Sequence, residues 1–532
     1  MHFQPLLEFP MRRVLALLAL SPSLAVAQAH DHPAGRTDKL GSVAFEITCA
    51  PASRPRFERA VAMTHSFWFD AAENAFAELI AADSTCAMAY WGRAVNLMGN
   101  PMTRMPPSPE RQRNGLALAM KAKALAANAS HREQMYVDAA LAYFRDAETR
   151  DHLSRMKAFE QAFDALRKMH PEDMEATIFY ARTVVANAAP TDQTFANQIA
   201  AAEVLQPLFD KHPDHPGLAH YLIHAYDAPP IATRGARAAQ AYAGIAPAAP
   251  HALHMPSHIF TRLGYWDESI ETNARSARAE PDSNAAVHPM DYMVYAFLQQ
   301  GREREARKVV DRATVNPDRF YGGTLGYNFA AMPARFALER EAWAEAATLK
   351  LPVATAAPYV RAITHFARAV GAARSNNVAQ ARVEADSLAS LKAQLDKAND
   401  SYWATIVEAQ RLGASSWIAL ASRDTAGALR LAKAGADLEE TVEKHPVTPG
   451  PLLPARELEA DMLLQLGRSA EALAAYEKTL VREPRRLRAL SGAVEAAHKA
   501  AKHDVAHKLD TQLKELTTKA DSTAVNRYKS MH

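Results

Sequence analysis

LPARELEADMLLQLGRSAEALAAYEKTLVREPRR, residues 453–486, is the stretch whose reading decides the fold. Gly467, Ala472, Tyr476 and Pro484 stand at the spacing of a helix-pair repeat of about 34 residues, and Ala460 is the small residue where two helices touch. One helix pair has an apolar face that it cannot bury alone. Stacked pairs bury that face between neighbours, so repetition of the pattern is itself a statement about architecture.

The signature recurs on both sides. A second copy covers residues 250–283, with Ser257, Phe260, Gly264, Trp266 and Pro281, and a third starts at Val287, with Phe297, Gly301, Ala306 and Ala313. Ala334, Trp343 and Ala346 fall in register, as do Ala369 with Ala381 and Ser416 with Ala428. Toward the N-terminus, Ala72 with Phe76 and Tyr90 with Ala94 mark two more. This is the spacing of tetratricopeptide repeats, and it predicts an all-α chain, a right-handed α-solenoid of tetratricopeptide-like helix pairs. Composition agrees: 20 glycines and 8% aromatics in 532 residues are too few for a β sandwich or an α/β nucleotide fold. With 61 basic and 59 acidic residues, a net charge of +2, the chain lacks the basic stripe of a nucleic-acid binder.

Met11-Arg12-Arg13, the apolar run 14–20 and Ala25-Val26-Ala27 have the three regions of a secretory signal peptide over residues 1–27, with Met11 as the initiator. No later stretch approaches the roughly 20 apolar residues of a membrane span. The expectation is an exported protein, periplasmic or extracellular, with no integral membrane segment. Cys49 and Cys86, the only cysteines, are expected to form a disulfide there. GNPMTRMPPSPE, residues 99–110, holds four prolines and reads as a loop, as do residues 188–193 and VTPGPLLP, residues 447–454. The divisions are then an N-terminal segment with the first helices over 28–98, a central solenoid over 110–446 and C-terminal repeats over 453–520.

Chemistry concentrates in the middle, where eight of the 21 histidines lie between His212 and His288. At about 100° per residue, His251, His254 and His258 share an arc of about 60°, opposite Leu253, Ser257 and Phe260. His220, His224 and Asp227 share such an arc on the preceding first helix, and His288, Asp291 and Tyr295 on the following one. First helices line the inner face of such solenoids, so the three arcs are expected side by side in a His-rich groove over 212–295. Imidazoles four residues apart can share a metal, and a neighbouring carboxylate can complete the shell. The candidate site is His220, His224, His254 and His258, assisted by His251, His288, Asp227 or Asp291, with zinc, copper, iron or manganese as the ion. Hydrolysis by a metal-activated water is the chemistry this favours. The plainer reading is also open: groove imidazoles that only exchange hydrogen bonds, or steady helix ends through HPDHPG. His65, among aromatics, reads as a satisfied core histidine. Asn328 and Arg335, in YNFAAMPARFALE, project toward the same groove with Tyr295 as candidate ligand-binding residues, since Arg presents a planar fork to a carboxylate. No Gly-rich phosphate loop, GxSxG elbow, HExxH or CxxC is present.

HSFWFDAAENAF from His65, CAMAYWG from Cys86, HYLIHAYD from His220, PHALHMPSHIFTRLGYW from Pro250 and PGPLLPARELEADMLL from Pro449 make the chain resemble a group of secreted bacterial tetratricopeptide-repeat proteins with a His-rich central segment. The resemblance implies the solenoid fold and export and brings no reaction with it. Repeats of this type imply a protein, peptide or small-molecule ligand in the groove. Two functions follow: an exported binding module, or a metal-dependent enzyme or metal-binding protein centred on residues 220–291.

Overall fold

The computed structural model describes residues 38–280, 286–313 and 323–529. Residues 1–27, read from the sequence as a signal peptide, and Pro281 and Ser283 of the second repeat lie outside the described residues. Among those described, the regular elements are helices and there is no strand. No described helix is long and apolar enough to cross a membrane.

The deciding stretch folds as its spacing requires. Helices Ala455–Gln465 and Ser469–Arg482 are joined at Gly467, whose φ of 74° suits a residue without Cβ. Gly264 and Gly301 turn the chain in the same way after Pro256–Leu263 and Val287–Gln299. Ala460, Ala472 and Tyr476 are buried where the pair meets, and Gly492 of the next helix receives the Tyr476 ring, which a Cβ would approach to 2.3 Å. Of the other register residues, Ala72, Phe76, Ala94, Ala334, Ala346, Ala369, Ala381, Ser416 and Ala428 are buried as well, whereas Tyr90 and Trp343 are half-buried. Small side chains at these points let helix axes approach while larger neighbours fill the core.

The expected disulfide is present: Cys49 and Cys86 are bonded, with Cα atoms 4.9 Å apart. It ties the N-terminal segment to the helix Ala87–Leu97. Of the loop expected over 99–110, residues 99–108 form one, with one turn at Pro101–Thr103, while Pro109 and Glu110 open the next helix, which Ser108 Oγ caps by accepting from Arg111 N.

The solenoid also returns upon itself. Trp266 Nε1 donates to Arg485 O at 3.2 Å, Arg486 pairs with Glu339 at 2.7 Å, and Glu443 N donates to Pro190 O at 2.8 Å. The open groove expected from the sequence is therefore roofed by the chain's own residues 443–451. Prolines in that segment cannot pair in a helix, so its carbonyls are met by side chains. Arg335 donates to Pro451 O at 2.8 Å, Gly450 O at 2.7 Å and Thr448 Oγ1 at 2.6 Å, and Asn328 Nδ2 donates to Val447 O at 2.9 Å.

Candidate metal centre

Helix Pro216–Tyr226 starts where His215 Nδ1 accepts from Leu218 N at 3.4 Å, the helix-end role that HPDHPG suggested. One turn separates His220 from His224 on it. Its neighbour is interrupted by Pro256 into Pro250–His254 and Pro256–Leu263, yet the break leaves His254 and His258 facing each other. His288 stands in the first turn of Val287–Gln299. These three segments bring six imidazoles together. His220 and His251 ring centroids are 5.0 Å apart, His254 and His288 4.5 Å, and His224 and His258 5.9 Å.

Hydrogen bonds fix how the rings point. Nδ1–H of His220 donates to His65 O at 2.6 Å, that of His254 to Asn273 Oδ1 at 2.6 Å, and that of His258 to Asp227 Oδ2 at 2.8 Å. A neutral imidazole has one proton, so Nε2 of each ring carries a lone pair directed inward. His254 Nε2 and His258 Nε2 are 3.1 Å apart, and His251 Nε2 and His220 Nε2 3.2 Å. His224 Nε2 and His288 Nδ1 are buried with no hydrogen-bond partner.

Electrostatics keep these rings neutral. Burial, and then the neighbouring imidazoles, hold His220, His224, His251, His254 and His288 well below the ordinary imidazole range. Burial lowers His258 too, against the pull of Asp227. Burial alone would raise Asp227, but Lys444, Arg262 and His258 hold its carboxyl well below the usual range. Arg262 Nε donates to it at 2.8 Å and Lys444 Nζ at 3.1 Å. Behind His220, His65 Nε2 and His215 Nε2 each lie 2.8 Å from the Glu175 carboxylate, and His65 Nδ1 lies 3.1 Å from Tyr221 OH. His65 is thus the satisfied core histidine its setting suggested. Burial opposes ionisation of Glu175, yet the two imidazoles bring its carboxyl down to about 2.

The cluster has two openings. A 470 Å³ cavity is walled by His224, Asp227, Arg104, Trp403, Lys444 and His445 among others, a size that suits a small molecule. A 50 Å³ crevice reaches His251, His254 and His288 from another side.

The remaining sequence candidates are placed differently. Asp227 supports His258 from behind. Asp291 is fully buried and turned to Arg335 Nε at 3.0 Å and Asn328 Nδ2 at 3.1 Å, so its arc neighbour His288 reaches the cluster without it. Asn328 and Arg335 are spent on Asp291 and the roof instead of standing free for a ligand. The Tyr295 hydroxyl donates to Glu483 at 3.3 Å and accepts from Arg486 at 3.5 Å, facing the C-terminal repeats. Asn273, Lys444 and Phe67 were not singled out from the sequence. Phe67, with φ at 51°, stacks on His251 at 5.3 Å and meets His220 edge-on at 4.4 Å. Periodicity within one helix carries no sign of partners that arrive from another helix or loop.

No protein-family model and no curated protein matches the chain. Similar solved structures include a human IFIT1 dimer with PPP-AAAA, 11% identical over 86% of this chain and 89% of that one, with a TM-score of 0.39. The APC/C hetero-tetramer Cut9-Hcn1 is 11% identical over 90% of both chains, at 0.31, and yeast Tom70 10% identical over 90% and 95%, at 0.27. At such scores the superhelices do not superpose closely. The assignment as a tetratricopeptide-like solenoid rests on the repeat register itself.

Proposed function

We propose that the chain is an exported, metal-dependent enzyme that hydrolyses a small molecule held in the 470 Å³ cavity. The observation that carries this reading is the His254–His258 pair. Both Nδ1 protons are given away, so two lone pairs face each other at 3.1 Å in a buried place. Such a contact is repulsive unless a cation is shared. Ligand nitrogens at about 2.0–2.1 Å from a tetrahedral ion lie about 3.3 Å apart, close to the spacing here. Outward N–H donation to a carboxylate, an amide and a backbone carbonyl is the way metal-binding histidines are oriented. An all-imidazole donor set favours zinc or copper over manganese.

A divalent ion held by the imidazole cluster, which meets the cavity at His224, would supply Lewis acidity for a bound water or a substrate oxygen. The chain's own groups do the rest. Asp227 keeps His258 in the tautomer that presents Nε2. Lys444 and Arg104 put cationic donors on a wall that also carries the Trp403 ring, a lining suited to a molecule with an aromatic part and an anionic group. The alternative of an extended peptide or protein in an open groove is disfavoured, because residues 443–451 occupy that space. The disulfide supports export, since such bonds persist in oxidising compartments.

The test is hydrolysis of a panel of carboxylic and phosphate esters by the full chain, before and after chelation, with His224→Ala alongside. Turnover that disappears on chelation, returns with metal and is lost in the variant is expected. Turnover indifferent to both would overturn the reading.

A further inference from the structure

Six imidazoles exceed what one ion ordinarily takes, and their arrangement divides them. We infer that the cluster holds two metal ions side by side, one on His220, His224 and His251, the other on His254, His258 and His288. The inference rests on the metal reading above and adds to it the number of ions and the division of labour between them.

The ligating atoms fall into two trios, each with all its atoms within 4.8 Å of one another. An ion with bonds of about 2.1 Å spans ligands at most about 4.2 Å apart, so small ring rotations suffice within a trio. The trios are built alike. Each has one close nitrogen pair, at 3.2 Å for His220 with His251 and 3.1 Å for His254 with His258. Each also has one buried ring nitrogen with no partner, His224 Nε2 in the first and His288 Nδ1 in the second. Each is steadied from outside, the first by His65 O and the second by Asn273 and Asp227.

The adjoining rings of different trios are 5.8 Å apart for His251 with His254 and 5.9 Å for His224 with His258, against 5.0 Å for His220 with His251 and 4.5 Å for His254 with His288; His258 and His288, within the second trio, are 6.2 Å apart. With adjoining rings this close, the two ions would lie near one another, and each would supply Lewis acidity of the kind used in two-metal hydrolytic sites. Three protein ligands per ion leave room for a further ligand on each. The two positions differ in access. His224 opens onto the large cavity, so the first ion meets the substrate, whereas His254 and His288 of the second reach only the small crevice.

The experiment is native mass spectrometry of metal-depleted full chain titrated with Zn(II), with parallel Cu(II) loading followed by electron paramagnetic resonance. Two ions per chain are expected. His220→Ala combined with His224→Ala should retain one ion, His254→Ala combined with His288→Ala should retain one, and all four together none. Fully Cu(II)-loaded chain should show a broadened or diminished signal from the coupled pair, and each half-site variant the spectrum of an isolated ion. Should His220→Ala or His254→Ala fail to fold, His224→Ala and His288→Ala alone, which leave the bonds of His65 O, Asn273 and Asp227 to the other rings in place, serve instead, each weakening one of two separable binding steps. A single ion per chain, or loss of all metal from either half-site variant, overturns the two-ion inference while leaving a metal centre. Binding of no ion overturns both.

Discussion

Asn273 offers a test of how the histidine cluster is held. Its Oδ1 accepts from His254 Nδ1 at 2.6 Å while its Nδ2 donates to Ser269 O at 2.7 Å, and the side chain is fully buried. Asn273→Ala removes the acceptor that keeps the proton on Nδ1, so His254 no longer presents a bare Nε2 in one orientation. Loss of such a partner weakens metal binding by about 10–100-fold, or about 1.4–2.7 kcal/mol. Ser257 Oγ lies 3.4 Å from the same nitrogen and can accept in its place, which puts the expected loss near the lower end, about tenfold. Asn273→Ala with Ser257→Ala removes both acceptors and should approach a 100-fold loss, about the upper end of the range. Thr272→Val is the control: it deletes a buried hydrogen bond to Leu253 O on the same helix and touches no imidazole. Dissociation constants for Zn(II) by competition with a chromophoric chelator, with far-UV circular dichroism to check folding, read the effect. Unchanged affinity in the double variant, or an equal loss in Thr272→Val, refutes the orienting role.

Cys49 and Cys86 are separated by 37 positions, a loop whose closure contributes about 4 kcal/mol in the chain-entropy picture. Cys86→Ala should lower the urea midpoint accordingly, and a midpoint equal to that of the parent would contradict it. Arg335→Met leaves Asp291 buried without its cation and frees the roof, so a loss of about 3–5 kcal/mol and new proteolytic cleavage within 447–451 are expected, whereas the parent should be cut first within 99–110. An unchanged melting curve and cleavage map would refute the roof's dependence on Arg335. Burial brings His152 and His445 down to about 4, so the unfolded chain binds more protons between about pH 6.5 and 4. Metal-free protein should hold its full share of this stability above that window and lose it as pH falls through it. The change should be smaller in His445→Gln, and an identical pH profile in that variant would argue against the contribution of His445.

Much of the fold was legible because each repeat states its own register. Gly467 with Ala472 and Tyr476 marks a turn and a helix contact within one stretch of chain, and the same marks at Gly264 and Gly301 recur without reference to distant residues. The histidines were legible for a related reason: His220 with His224, and His254 with His258, lie one turn apart on single helices. Asp291 shows where this ends. Its arc is right for the groove, but Arg335 on the next first helix offers a stronger electrostatic partner and draws the carboxylate away. Asn273 comes from the second helix of the same repeat, outside the reach of periodicity along one helix, and Lys444 from an element whose placement depends on superhelix curvature, which no local pattern specifies. The same curvature turns the groove into a roofed cavity, because residues 443–451 cross it only when distant repeats approach, as Trp266 and Arg485 do across 219 positions.

The central claim is that converging imidazoles bind a transition metal, and metal content tests it most directly. Full-length protein purified without a histidine tag at pH 7.5 should carry stoichiometric zinc or copper by elemental analysis. Replacing His224 and His258 together with Ala, one ligand from each trio, should sharply lower that content while leaving the helical circular dichroism intact. Parent protein with no metal above background, even after incubation with zinc or copper, or a double variant that binds as well as the parent, would contradict the account.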